Sequence, residues 1–209
     1  MKKLLIVGYL WPYHQRTAAR IPGLAKYLPE FGWEPVLVTV PLNANPDVSY
    51  KIIETVYKGA LDSWLKLFRL NSDVNTSVRG QVKQRLGVKS RKSIRGSLID
   101  FAFTQLLEII DYPDLDRGWK PFALKACAES WSQDIKAVFT SSPPITSNMI
   151  ARDLKKRYGV PWLADFPHLW SQNNSYHYSE LRRMFDRRLE LKTLVSADVL
   201  TTTSKPLAD

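Results

Sequence analysis

Residues 135 to 170 read "IKAVFTSSPPITSNMIARDLKKRYGVPWLADFPHLW". "IKAVFTS" is a short apolar run, as expected of a strand covered on both faces, and "ITSNMIARDLKKRYG" has apolar residues at helical spacing until Gly159 stops it. "VPWLADF" is a further strand, with its proline near the start, where a missing donor does least harm. Strand, helix and strand in this order are the signature of a right-handed crossover between parallel strands.

The same pattern repeats outward. "KKLLIVG" at the N-terminus, the helix "IPGLAKYLPEFG" closing at Gly32, and "EPVLVTV" form a first crossover unit. Downstream, "ELRRMFDRRLELKTLVS" is a long polar-faced helix and "ADVLTTTS" a fifth strand. "LIDFAFTQLLEII" and "WKPFALKACAESWSQ" read as two helices around the acidic turn "DYPDLDRG". The fold class is therefore α/β, a doubly wound and mainly parallel sheet, in a single domain over residues 1–209. Ligands of such sheets bind beyond the C-terminal ends of the strands. Those ends carry Trp11, His14, Arg16 and Arg20 after strand one, Ser141, Ser142 and Pro143 after the third strand, and Asp165, His168 and Trp170 after the fourth.

Composition narrows the classes. With 44% hydrophobic and 24% charged residues the chain of 209 is an ordinary globular sequence. No apolar run is long enough to span a bilayer, and the single cysteine, Cys127, excludes an internal disulfide and favours a cytoplasmic address. Cys127 reads as a small core residue. The net charge of +10 is local: between Lys66 and Arg95 there are nine basic residues and one acid, Asp73. That stretch follows the amphipathic "LDSWLKLFRL" and forms a basic insertion at about 60–96. Its apolar and cationic residues, Trp64, Lys66, Phe68, Arg69, Lys83 and Arg85, suit an anionic membrane surface; a solvated insertion is the plainer reading, and a nucleic acid partner would want aromatics among the cations.

Motif by motif, absences weigh as much as matches. No G-x-G-x-x-G follows strand one and no P-loop occurs, which disfavours a dinucleotide-binding domain and a P-loop nucleotidase. One cysteine and three scattered histidines make no zinc site, so no metal is expected. "TSSPPITSN" places small hydroxyls and prolines before a helix, where amides could hold a phosphate or sugar hydroxyl; a rigid helix cap is the equal alternative. Asp165 could orient a ligand hydroxyl or cap the next loop. For His168 the readings are a general base or donor to substrate, against a structural imidazole; for Trp170, a platform for a sugar ring, against loop packing. Asp114 and Asp116 have the D-x-D spacing of a metal and nucleotide-diphosphate site, but they follow a helix-like stretch and such spacing is common in turns, which is the favoured reading.

Taken together, "AKYLPEFGWEPVLVT", "FTSSPPITSNMIARDLKKRYGVPWLADFPHLW" and "LRRMFDRRLELKTLVSADVLTTTS" resemble the N-terminal domain of family 4 glycosyltransferases of the GT-B fold. The resemblance implies a Rossmann-like acceptor-binding half of a retaining enzyme. Such an enzyme moves a sugar from a nucleotide-sugar to a glycan or lipid-linked acceptor hydroxyl, in cell-surface polysaccharide or lipid-linked glycan synthesis. It also implies no cofactor besides the nucleotide-sugar donor, a C-terminal GT-B domain supplied in cis or in trans, no nucleic acid partner, and work at the inner face of the cytoplasmic membrane.

Two departures shape these expectations. "WPYHQRTAAR" stands where the family has a glycine-rich loop, so Arg16 and Arg20 are expected to make phosphate contacts by side chain. Pro167 and His168 stand where close relatives carry an arginine and an aspartate; Asp165 and Trp170 match. The family's paired glutamates, eight positions apart in the C-terminal domain, have no counterpart here. This N-terminal half alone is therefore expected to be inactive. The alternatives are a non-catalytic nucleotide-, lipid- or partner-binding module of the same fold, and a metal-dependent D-x-D transferase.

Overall fold

Apolar runs too short for helices and too continuous for one-sided strands build the centre of the molecule. The computed structural model describes residues 1–9, 20–42, 47–59, 101, 105–106, 108–173 and 176–208. Trp11, His14, Arg16 and the basic insertion with Trp64, Lys66, Phe68, Arg69, Lys83 and Arg85 lie outside the described residues. The strands are β1 (Lys2–Val7), β2 (Trp33–Thr39), β3 (Lys51–Glu54), β4 (Ile135–Ser141), β5 (Trp162–Phe166) and β6 (Val199–Thr202). All pair in parallel, in the order β3-β2-β1-β4-β5-β6. This is the doubly wound, Rossmann-like order, with its switch point between β1 and β4.

The helices described from end to end are α1 (Arg20–Tyr27), α2 (Lys120–Glu129), α3 (Ile145–Tyr158), α4 (Glu180–Ser196) and the short α5 (Lys205–Ala208), and the described residues among 101–110 are helical as well. α1 continues into a 3-10 turn, Leu28–Phe31, which ends at Gly32 with φ 76°. α3 ends at Gly159 with φ 66°, whose amide bonds the Lys155 carbonyl at 2.8 Å. Both glycines occupy the left-handed region that a Cβ disfavours, which is why these helices stop where they do.

Side chains alternate across the sheet into two cores. On one face Leu5, Val7, Val38, Val138 and Trp162 pack with Ile150, Ala151 and Leu154 of α3 and with Ala123 and Cys127 of α2. On the other, Ile6, Leu37 and Phe139 meet Ile21 and Ala25 of α1. Cys127 is fully buried, and burial pushes its thiol up to about 12. The buried indoles keep polar partners: Trp119 donates to Thr55 Oγ1 at 2.7 Å and Trp162 to Thr140 Oγ1 at 2.9 Å.

The structure has one strand more than the sequence pattern implies. β3, "KIIE", has two apolar residues between charged ends, too short a run to stand out, and it forms because β2 offers an open edge for it. No described helix is long and apolar enough to cross a membrane.

Candidate functional site

Register brings the site together before any side chain is considered. Ser141 at the end of β4, Asp165 on β5 and Thr201 on β6 are direct neighbours across three strands. Asp165 is fully buried between them. Ser141 Oγ donates to its Oδ2 at 2.7 Å and Thr201 Oγ1 to its Oδ1 at 2.8 Å. Arg20, the first residue of α1, completes the set with Nε to Oδ2 at 2.8 Å and Nη2 to Oδ1 at 2.6 Å. This is a bidentate fork on a carboxylate whose acceptor positions are now all filled. Asp165 therefore has no lone pair free for a substrate proton, and its effect is to fix Arg20. Arg20 itself is 43% exposed and lines the cleft above.

Beyond Asp165 the chain enters the loop that makes one wall. Thr202 Oγ1 donates to the Phe166 carbonyl at 2.7 Å and Thr203 Oγ1 to the Pro167 carbonyl at 3.0 Å. The threonine run thus ties this loop to β6 and presents His168, exposed, at the cleft rim with Trp170 half-buried beside it. Further along, Tyr176, His177 and Tyr178 complete the wall. The His177 ring leans on Tyr178 at 4.3 Å. Tyr176 and Tyr178 donate their hydroxyls to Asp186 and Asp111, at 2.7 and 2.5 Å. Burial, reinforced by those carboxylates, pushes both phenols up, so they remain donors at neutral pH.

The turn after Asp111 adds an acidic and phenolic corner. Asp114 Oδ2 accepts the Thr146 amide at 2.8 Å, and Oδ1 accepts Thr146 Oγ1 at 2.6 Å and the Asp116 amide at 3.0 Å. Burial raises the Asp114 carboxyl to about 6 despite these bonds. Tyr57 donates to Asp116 Oδ1 at 2.8 Å, and Tyr9 packs edge-on to Tyr57 at 5.9 Å. Burial pushes Tyr9 up to about 12 and also raises Tyr57 and Asp116.

The start of α3 is settled by the same corner. Asp114 occupies the Thr146 amide and the Ser147 amide bonds the Pro144 carbonyl at 3.2 Å, so "TSSPPITSN" is a helix cap whose anion comes from 32 residues upstream. Of the amides that suggested a phosphate cradle, those of Thr146 and Ser147 are engaged within the chain, and Pro143 and Pro144 have none to offer. Ser142 is buried and bonds the Asp165 carbonyl through its amide at 3.0 Å, while Pro143 lines the cleft. The D-x-D spacing serves the turn: Asp114 caps the 3-10 turn Leu115–Trp119 as well as α3.

The result is an open cleft of about 680 Å³ above the switch point, lined by Tyr9 and Arg20, by Asp114 and Asp116, and by the loop from His168 to Tyr178. Of the residues singled out from sequence, Arg20, Ser141, Ser142, Pro143, Asp165, His168 and Trp170 gather around it. Tyr9, Tyr176, His177 and Tyr178 were not singled out. The signal available for the last three was "YHY" directly before Ser179, which caps α4 by accepting the Arg182 amide at 3.3 Å.

Solved structures similar to the chain include the calicheamicin glycosyltransferase CalG4, at 16% identity and TM-score 0.45 over 94% of this chain and 43% of that one. MurG of Acinetobacter baumannii is similar at 11% identity and TM-score 0.44, over 97% and 41% of the two chains. Sucrose-phosphate synthase of Thermosynechococcus elongatus is similar at 10% identity and TM-score 0.46, over 97% and 47%. The chain thus spans less than half the length of each. The sequence matches no protein-family model and no curated protein.

Proposed function

We propose that the chain is the acceptor-side half of a retaining glycosyltransferase that moves a sugar from a nucleotide-sugar to an acceptor hydroxyl, in cell-surface polysaccharide or lipid-linked glycan synthesis. The observation that carries this reading is Arg20, held bidentate by buried Asp165 and lining a cleft that also carries Trp170, His168, His177 and the Tyr176 and Tyr178 rings. A fixed guanidinium meets the charge that develops on a departing diphosphate, and costs no reorganisation when it does so. Flat rings with hydrogen-bonding rims suit a sugar, whose faces are apolar and whose edges are hydroxyls.

In this reading Asp165 is a positioning residue. His168 accepts or donates a hydrogen bond at the acceptor hydroxyl, and Trp170 offers a ring face. The donor is held chiefly by a C-terminal domain in cis or in trans, so the chain by itself turns nothing over. No cofactor beyond the nucleotide-sugar is called for. The basic segment around Trp64 to Arg85 brings the enzyme to the inner face of the cytoplasmic membrane.

The test is saturation-transfer NMR of the purified chain with a panel of nucleoside diphosphates, nucleotide-sugars and neutral oligosaccharides. Saccharide signals are expected to weaken in Trp170→Ala. Diphosphate affinity is expected to fall about tenfold or more in Arg20→Ala, the loss of one charged hydrogen-bonding group. Binding of neither class defeats the reading. Binding of diphosphate with no saccharide favours the non-catalytic nucleotide-binding module.

A further inference from the structure

Helix α4 turns its polar side inward. Arg182, Asp186, Glu190 and Thr193 are its buried residues. Arg182 pairs with Asp186 at 3.0 Å and donates to the Glu108 and Pro113 carbonyls at 2.6 and 2.8 Å. Tyr176 donates to Asp186 at 2.7 Å, and the Ser171 hydroxyl donates to Glu190. These bonds fix how the helix is rolled, because rotating it would leave a buried ion pair without its partners.

At 100° per residue, the side opposite this polar seam carries Leu181, Met184, Leu191 and Val195, while Phe185 lies at its flank with its ring edge-on to Tyr112 at 6.3 Å. The first four are 54 to 86% exposed, an outward apolar stripe. Arg188 stands among them and Arg187 and Lys192 flank them, all three exposed. The one acid there, Glu180, sits at the helix start and pairs with Arg183 at 3.0 Å. The face is thus apolar and cationic at once.

Charge decides what covers it. A second copy meeting the first through this face would set the same cations against each other across a two-fold axis. An anionic bilayer takes aliphatic side chains into its acyl boundary while its headgroups meet the arginines and lysine. We propose that the outward face of α4 docks on an anionic lipid bilayer. This is a contact separate from the basic segment at 60–96, and it holds whatever reaction the cleft performs. Because α4 follows directly on Tyr176 to Tyr178, docking sets that wall of the cleft beside the membrane surface.

The test is co-sedimentation of the full chain with vesicles of equimolar phosphatidylglycerol and phosphatidylcholine, against phosphatidylcholine alone. Two variants change exposed residues only, Leu191→Ser with Val195→Ser, and Arg187→Glu with Arg188→Glu; circular dichroism checks that each is folded. A third, Trp64→Ser, Phe68→Ser, Lys83→Glu and Arg85→Glu, isolates the basic segment. The wild type is expected to bind anionic vesicles and release with salt. Each α4 variant is expected to bind about tenfold more weakly or less, since one cation near such a surface is worth about fivefold. The third variant is expected to keep binding that the α4 changes then abolish. The proposal is overturned if wild type stays in the supernatant, or if the α4 variants bind as wild type does. Self-association in sedimentation velocity that Leu191→Ser and Val195→Ser abolish, without vesicle binding, overturns it in favour of a second copy.

Discussion

Asp165 and Asp114 are two inward carboxylates that meet the same difficulty in opposite ways. Asp165 is neutralised by Arg20 at 2.6 Å, whereas Asp114 receives three hydrogen bonds from neutral donors and, among the described residues, no cation. For Asp165, replacing Arg20 by Met leaves a buried charge with only Ser141 and Thr201 as donors. The expected loss is about 3 kcal/mol in urea unfolding, the low end for a broken buried pair because Arg20 is partly exposed. Adding Asp165→Asn is expected to restore much of it, and a double-mutant cycle reads the coupling directly. For Asp114 the sign runs the other way from a salt-bridged carboxylate. Its carboxyl is raised from the usual 3.8 to about 6, so the folded state binds the proton more tightly than the unfolded chain. Stability from this group is complete below pH 4 and is lost as pH rises towards 6. Partial access from the cleft holds the change to about 2 kcal/mol, below the roughly 3 that the full shift would carry. Urea midpoints at pH 4, 5, 6 and 7 should show Asp114→Asn lacking this slope; parallel profiles would refute the assignment. Asp165 was legible in the sequence because it ends an apolar strand. The role of Asp114 was not, since nothing near "PDLDRG" says that Thr146 will lie against it.

Elements were legible where one physical signal dominates. α3 and α4 begin and end where caps, glycines and apolar spacing indicate, and β1, β2, β4 and β5 each centre on a short apolar run. β3 escaped because four residues with charged ends carry no pattern of their own. The roll of α4 escaped as well: its sequence contains both an apolar stripe and a charged one, and the choice between them was made by Tyr176, Glu108 and Pro113, which lie on other segments. The turn carrying Asp116 depends on a similarly nonlocal fact. A Cβ on Gly118 would lie 2.2 Å from the Lys58 carbonyl oxygen, a backbone atom that cannot swing aside, whereas one on Gly23 of α1 meets nothing within 4 Å. Gly118→Ala is therefore expected to cost about 1–3 kcal/mol by forcing the two backbones apart and stretching the Trp119–Thr55 bond. Gly23→Ala, inside a helix, is expected to gain about 0.5–1 kcal/mol. Thermal melts of both variants check the pair, and equal shifts would contradict the close approach.

On the scale of the whole molecule, the strand order puts the buried anchor of the site where the sheet is most secure and part of its rim at an edge. β1 and β4 flank the switch point, and Leu5, Ile6, Val7, Val138 and Thr140 have no exposure at all. The two edges are short: β3 has four residues with exposed ends, and β6 has four with Val199 and Leu200 about half exposed. Yet β6 supplies Thr201 to Asp165 and, with the residue beyond it, ties down the loop that carries His168. The rim of the cleft therefore inherits the stability of an edge strand, while Asp165 inherits that of the interior. Native-state hydrogen exchange makes this testable, because amides that open locally exchange faster than those requiring global unfolding. Amides of β1 and β4 are expected to exchange only through global unfolding, and those of Val199–Thr202 at least about tenfold faster, through a smaller opening. A ligand that bridges Arg20 and His168 joins the two regions, so its binding should slow β6 far more than β1. Uniform protection of both, or exchange of β6 at the global rate without ligand, would mean that the rim is as rigid as the core and that the edge strand places His168 without letting it move.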